Sequence, residues 1–383
     1  VKKGDRVALA MRNLPEWPVA YFATVSIGAI IVPLNAWWTG AELAFGIENS
    51  GSKVLVCDHE RLDRLSGDLD KVTKLETMIV SRAPEASDDY IQLESVIGAP
   101  SSWNTLPDQD LPEVEVKPED RATIFYTSGT TGQPKGAVGT HRNATTNVFS
   151  TGYATARGAL RRGEAPPEPE QKVGLLVIPL FHVTAANARM MGSIFAGHTL
   201  VFMYKWDTVK AFEIIEREKV QSTGGVPTIA WQLIEHPDRE KYDLSSLESI
   251  GYGGATLSDD LYDRLQALSI KATGKRIPIT TMYGATETQG ITIVHWEAER
   301  VGLIGLPLPG MTLKLVPTGD KMEVRVKGPS VMPGYVNMPD KNAEVFDEEG
   351  YYCLGDAAKM VDENNPNLGI IFDGRVGEDF KLS

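Results

Sequence analysis

The stretch Tyr126-Thr127-Ser128-Gly129-Thr130-Thr131-Gly132-Gln133-Pro134-Lys135-Gly136 constrains this chain most, because it directly follows the apolar run Ala122-Thr123-Ile124-Phe125. An apolar run that breaks into glycine and hydroxyl residues reads as a strand emptying into a loop. The loop has the chemistry of a phosphate grip. Its glycines let backbone N–H groups approach a polyanion, Thr127, Ser128, Thr130 and Thr131 offer hydroxyl donors, and Lys135 adds a mobile positive charge. A triphosphate is the candidate ligand. The Walker pattern requires lysine and then Ser or Thr straight after its second glycine, whereas here Gln133 and Pro134 intervene and Gly136 follows the lysine. A P-loop NTPase or kinase is therefore disfavoured.

Two more segments repeat the strand-to-loop pattern. Gly251-Tyr252-Gly253-Gly254-Ala255 follows Leu247 to Ile250, and Thr281-Met282-Tyr283-Gly284-Ala285-Thr286-Glu287-Thr288 follows Ile277-Pro278-Ile279-Thr280. In open α/β sheets ligands bind at the carboxyl ends of strands, so such loops can converge on one crevice. Pro179-Leu180-Phe181-His182-Val183-Thr184 follows the apolar Val173 to Ile178, and Gly224-Gly225-Val226-Pro227-Thr228 reads as a turn between elements. Taken singly, His182 reads as a core histidine, Glu287 as a surface residue, and Asp356 with Arg375, from Leu354-Gly355-Asp356 and Phe372-Asp373-Gly374-Arg375, as a structural ion pair.

Taken together these segments are similar to those of the adenylate-forming superfamily, which includes acyl-CoA synthetases, adenylation domains and luciferases. The resemblance implies an α/β fold: the large N-terminal domain of that superfamily, with two α/β sheet lobes over about residues 1–300, a smaller β-rich lobe over about 301–374, and a hinge at 375–383. It implies Thr127, Ser128, Gly129, Thr130, Thr131, Gly132 and Lys135 on the ATP phosphates, and Gly253, Gly254, Ala255, Met282, Tyr283 and Gly284 around adenine. Thr286 would touch the α-phosphate and Glu287 would hold Mg2+. Asp356, Phe372 and Arg375 would hold the ribose end. His182, Val226, Gly253 and Gly284 would line the place of the acid, with Lys135, His182, Thr286 and Glu287 as the catalytic group. Leu354 stands where the family usually has Thr, and Gly377 where its hinge usually has Asp or Lys. The closing run from Asp362 is similar to feruloyl-CoA synthetases and the middle of the chain to fatty acyl-CoA ligases. The abrupt ends imply residues before Val1, with room there for a targeting signal, and a small C-terminal domain carrying the adenylation lysine. A fragment lacking that domain is expected to be incompetent for full turnover.

The implied activity is ATP-dependent conversion of a fatty or aryl acid to an acyl adenylate, with coenzyme A then taking the acyl group. A carrier-protein thiol is the alternative acceptor, and a nucleotide- or acyl-binding module without turnover is the alternative class. With 51 acidic against 38 basic residues, the net charge of −13 argues against nucleic acid or anionic membrane as partner, leaving small molecules. Cys57 and Cys353 support neither a disulfide framework nor a zinc site, and a reducing, cytoplasmic compartment fits. Val19 to Leu34 reads as core rather than a membrane span. Strand patterns at Val7 to Met11, Lys53 to Cys57 and Thr199 to Met203 alternate with helix patterns at Pro15 to Gly28, Thr208 to Glu218 and Asp260 to Leu268. Thr312 to Lys327, pivoting on Thr318-Gly319-Asp320, predicts a β-hairpin. The basic cluster Arg157 to Arg162 reads as a solvated mobile loop.

Overall fold

A computed structural model describes residues 1–127, 132–161, 163–166, 168, 170–252, 258–274, 276, 279–293 and 302–377. The chain forms two compact units: the first combines Val1–Ala144, Pro179–Ala186 and Met332–Asn342, and the second Thr145–Ile178, Asn187–Val331 and Ala343–Ser383.

The first unit is built on an eight-stranded sheet. In spatial order its strands are Gly334–Tyr335, Lys135–Thr140, Arg121–Thr127, Ile30–Pro33, Arg6–Ala10, Val54–Asp58, Thr77–Ser81 and Ile91–Gln92. The six from Arg121–Thr127 onward are parallel, and the other two add antiparallel. Runs such as Val54-Leu55-Val56-Cys57 are buried along their whole length, as a parallel strand covered on both faces must be. Ala8, Val32, Leu34, Leu43, Ile47, Leu55, Val80, Ile124 and Val138 form one core, and each large aliphatic side chain there contributes about 1.5–3 kcal/mol. The helix Gly40–Ser50 has a capping box between Thr39 and Glu42 and stops at Gly51 in the left-handed region.

The second unit is built on an eleven-stranded sheet. Thr199–Phe202, Val173–Leu176, Ser222–Gly225, Ser249–Tyr252 and Ile279–Ala285 run parallel. Gln289–Ile293, Leu303–Pro307, Ile370–Arg375, Tyr352–Met360, Lys321–Lys327 and Thr312–Thr318 then continue antiparallel. The hairpin read from Thr312 to Lys327 is present, with Thr318 opposite Lys321. The helix Thr208–Glu218 packs Ala211, Phe212 and Ile215 into a core with Leu175, Val220 and Leu233.

Three readings change in detail. Arg157 to Arg161 end the helix His141–Arg161 instead of forming a loop. The Arg157 guanidinium donates to the Pro307 carbonyl at 3.2 Å and that of Arg161 to Asn367 at 3.1 Å, and cations suit the negative end of the helix dipole. Met282, Tyr283 and Gly284 lie within a strand rather than on a loop, because that strand runs on to Ala285. Gly224-Gly225-Val226 is a strand-to-helix step rather than a β-turn, with Val226 capping Pro227–Glu235.

Candidate active site

In the first unit, Arg121–Thr127 and Lys135–Thr140 pair as an antiparallel hairpin, with Thr127 opposite Lys135 and Tyr126 opposite Gly136. Lys135 therefore opens a strand, unlike a Walker lysine, which opens a helix. Side chains clamp the hairpin's base. The Tyr126 hydroxyl donates to Asn49 Oδ1 at 2.7 Å, and burial pushes its pKa up. Lys135 Nζ sits 5.1 Å from the ring centroid of Tyr335, a residue 4 % exposed, in cation–π contact. A Cβ at Gly136 would come within 2.8 Å of both Ile124 and Val336. Gly132, at φ +90°, adopts a backbone that favours glycine.

His182 belongs to the same unit. Its backbone N–H donates to the Pro179 carbonyl, and its own carbonyl accepts from Ala185 and Ala186. Leu180 N–H donates 2.8 Å to the buried Asn13 Oδ1, which ties this turn to residues 167 positions earlier. Nδ1 of His182 accepts from Thr184 N–H at 3.2 Å, so the neutral ring carries its proton on Nε2. The residue keeps an exposed surface, but protein atoms crowd the ring and desolvation lowers its pKa. At neutral pH His182 is thus a hydrogen-bond donor through Nε2 and a poor base.

In the second unit, Ile279–Ala285 and Gln289–Ile293 enclose the turn Thr286-Glu287-Thr288. Ala285 N–H donates to Thr288 Oγ1 at 3.0 Å, and Gly290 N–H to the buried Asn147 Oδ1 at 3.1 Å. The register shifts between Tyr283 and Gly284, and Gln289 takes φ +55°. A Cβ at Gly284 would overlap the Gln289 carbonyl oxygen, so only glycine fits. The turn holds Thr286 and Glu287 partly exposed at its tip.

Beside this hairpin four candidates meet. Tyr283 donates its hydroxyl to Asp356 Oδ2 at 2.7 Å, and Arg375 Nε lies 3.1 Å from Asp356 Oδ1. Asp356 and Arg375 are direct partners in the antiparallel pairing of Tyr352–Met360 with Ile370–Arg375. The ring of Phe372 lies 6.1 Å from that of Tyr283, tilted by 49°. Desolvation, and then the Asp356 charge, pushes the Tyr283 pKa far up, so its hydroxyl stays a donor. Each oxygen of Asp356 has one partner here and a second lone pair to offer, which leaves room for two sugar hydroxyls. Gly355 at φ +73° and Gly374 at φ +81° flank the pair. Val226 is 47 % exposed at the mouth of its helix.

A family model described as AMP-binding enzyme matches residues 1–336. The chain belongs to the AMP-binding enzyme family. It is 30% identical over 373 residues to the 7a-methyl-1,5-dioxo-octahydro-1H-inden-4-yl propanoyl:CoA ligase of Rhodococcus jostii, covering 94% of this chain and 68% of that protein. It is likewise 30% identical over 372 residues to a feruloyl-CoA synthase of Amycolatopsis, covering 94% and 67%. Among solved structures, the inhibitor-bound N-terminal domain of FACL13 from Mycobacterium tuberculosis is similar, with a TM-score of 0.79, 25% identity and coverage of 98% of this chain and 87% of that one.

For this AMP-binding chain the structure brings Thr127, Gly132, Lys135 and His182 into the first unit, and Val226, Met282, Tyr283, Gly284, Thr286, Glu287, Asp356, Phe372 and Arg375 into the second. Ser128, Gly129, Thr130, Thr131, Gly253, Gly254 and Ala255 lie outside the described residues. Sequence reading missed Asn13, Asn49, Asn147 and Tyr335, which hold the functional segments in place. Isolated Asn residues carry no spacing signal, and Tyr335 meets Lys135 across 200 positions of sequence. No group of three or more His, Cys, Asp or Glu able to hold a metal occurs among the described residues, and no described helix is long and apolar enough to cross a membrane.

Proposed function

We propose that the enzyme to which this chain belongs converts a carboxylic acid of the fatty or aryl class and ATP to an acyl adenylate and pyrophosphate, and then transfers the acyl group to coenzyme A. The observation that carries the reading is the Tyr283–Asp356–Arg375 cluster on paired strands, in a chain that matches the AMP-binding family over residues 1–336. An ionised carboxylate accepting from ribose hydroxyls, with a guanidinium and an aromatic ring beside it, is suited to a nucleoside.

The acid is already ionised at neutral pH, so no general base is required. One carboxylate oxygen attacks the α-phosphorus in line, and the bond to the bridging oxygen breaks as pyrophosphate leaves. Positioning and charge neutralisation supply the catalysis. In this reading Lys135 and the hydroxyls of its loop neutralise the phosphates, Thr286 contacts the α-phosphate, and His182 donates through Nε2 toward the acid. Mg2+ prefers few carboxylates together with phosphate oxygens, so a lone Glu287 on an accessible turn fits as its protein ligand; when bound, the ion would offset charge on the departing pyrophosphate. The thiolate of coenzyme A then attacks the acyl carbonyl and AMP leaves.

The domain plan belongs to the same proposal, with residues 1–374 as the adenylating body and rotation about 375–383. A cytoplasmic setting suits the two unpaired cysteines. The test is exchange of labelled pyrophosphate into ATP by the full-length protein across a panel of alkanoic, alicyclic and hydroxycinnamic acids. Exchange with one class names the substrate, and none with any acid ends the proposal.

A further inference from the structure

The first unit holds a cavity of about 440 Å³ at the amino ends of its parallel strands. Arg6, Ile30 and Arg121, the first residues of three neighbouring strands, all line it, whereas the phosphate loop leaves Arg121–Thr127 at that strand's other end. The charge of the cavity is opposite to that of the chain. Lys3, Arg6, Lys74 and Arg121 line it against one carboxylate, Asp120, in a chain of net charge −13. The two lysines are paired: Lys3 Nζ lies 2.6 Å from Asp120 Oδ2, and Lys74 Nζ lies 3.4 Å from Glu48 Oε1. The two guanidiniums are not. Arg6 donates through Nε to the Ser50 carbonyl at 3.0 Å and through Nη1 to the Gly4 carbonyl at 3.3 Å, so backbone holds it in place and no carboxylate among the described residues neutralises it. The Arg121 side chain has no hydrogen-bond or ion-pair partner among the described residues. On a flat surface such a group would simply be solvated, but here it shares a concave wall with a second guanidinium, and the two forks together match the oxygens of a phosphate.

The same cavity reaches the clamp of the Lys135 hairpin. Asn49 and Asn337 line it. Asn49 Oδ1 accepts from the Tyr126 hydroxyl, the Asn49 carbonyl accepts from Asn337 Nδ2 at 2.7 Å, and Asn337 closely follows Tyr335, whose ring contacts Lys135. We infer that the cavity is a second anion site, separate from the nucleotide grip, that takes a small phosphomonoester and regulates the grip through Asn49 and Asn337. The phosphate oxygens replace solvent on Arg6 and Arg121. Occupancy favours the arrangement in which Tyr126 and Tyr335 hold the hairpin, so the anion and ATP strengthen each other's binding by the same factor. The inference goes beyond the adenylation reading, and its binding step needs neither acid nor nucleotide.

Calorimetric titration of the full-length protein with glycerol phosphate, with tricarballylate as an anion lacking phosphate, tests this. Glycerol phosphate should bind saturably and tricarballylate far more weakly. Because Arg6 also braces backbone, the exposed Arg121 carries the test. Arg121→Gln should weaken glycerol phosphate about tenfold with the affinity for ATP alone unchanged, and Arg121→Lys should restore only part of the loss. Saturating glycerol phosphate should tighten ATP about fivefold in the unaltered protein and have no effect in Arg121→Gln. Displacement of glycerol phosphate by ATP would put the anion in the nucleotide grip and overturn the second site. Undiminished binding in Arg121→Gln, equal affinity for tricarballylate, or no saturable binding overturns it too, and binding that leaves ATP affinity unchanged overturns the regulation. Pyrophosphate exchange measured without glycerol phosphate reads the adenylation proposal by itself, so the two failures are distinguishable.

Discussion

The hairpin that opens at Thr127 and Lys135 is clamped by side chains, whereas the one that turns at Thr286 to Thr288 is clamped by backbone. In the first, Asn49 holds Tyr126 and the Tyr335 ring lies beside Lys135. In the second, Gly284 presses on the Gln289 carbonyl, and Asn147 and Thr288 bond to main-chain N–H groups. A side-chain clamp is graded, since one contact can be weakened while the others persist. A backbone clamp either fits or fails, because even one added carbon has nowhere to go.

The sharpest way to break this contrast is Gly284→Ala. The added methyl should displace the tip bearing Thr286 and Glu287, lowering pyrophosphate exchange more than 100-fold by rough estimate and reducing Tm by several degrees. Wild-type exchange in this variant would show that the second clamp is as forgiving as the first. Next is Lys135→Ala, expected to raise KM for ATP by about 30-fold through loss of charge-assisted contacts to phosphate; an altered kcat at unchanged KM would contradict a ground-state grip. Asp356→Asn should weaken AMP about tenfold without unfolding the chain, as calorimetry and circular dichroism would report. Tyr335→Leu tests gradation itself. Losing a cation–π contact of about 0.5–1 kcal/mol should cost only a few-fold in KM for ATP, and an effect equal to that of Lys135→Ala would mean the first hairpin is not graded.

The smallest effect lies outside both hairpins. Desolvation lowers the folded-state pKa of His182, so below about pH 6.5 the unfolded chain binds the extra proton more readily than the folded one. Stability is therefore lost as pH falls through that value, and thermal melts at pH 7.5 and 5.5 should show a larger drop for wild type than for His182→Asn. Equal drops would remove the desolvated imidazole from the account.

Local pattern made much of this legible. The helix Thr208–Glu218 follows from its spacing of apolar residues, and the Thr312–Lys327 hairpin from alternation around a Gly-Asp turn. A candidate residue could be named wherever a motif held its own chemistry, as with Lys135 and Asp356. The site was illegible where a role depends on a distant partner. Nothing near Asn13 announces that it will hold Leu180, and Tyr283 looked like a loop residue because its strand is set by pairing with Gln289–Ile293 rather than by its own glycine-rich neighbours. The basic run at Arg157 misled for a related reason, since its carbonyl partners at Pro307 and Asn367 come from later in the chain.

The first unit is assembled from three separated stretches, the last being Met332–Asn342. On a ribosome its sheet would gain most strands early, yet the edge strand Gly334–Tyr335 and the ring beside Lys135 emerge only after nearly 200 further residues. Completion of the side-chain clamp around Lys135 is thus deferred until the bulk of the second unit has been synthesised, which makes it a non-local and late event in the life of the chain.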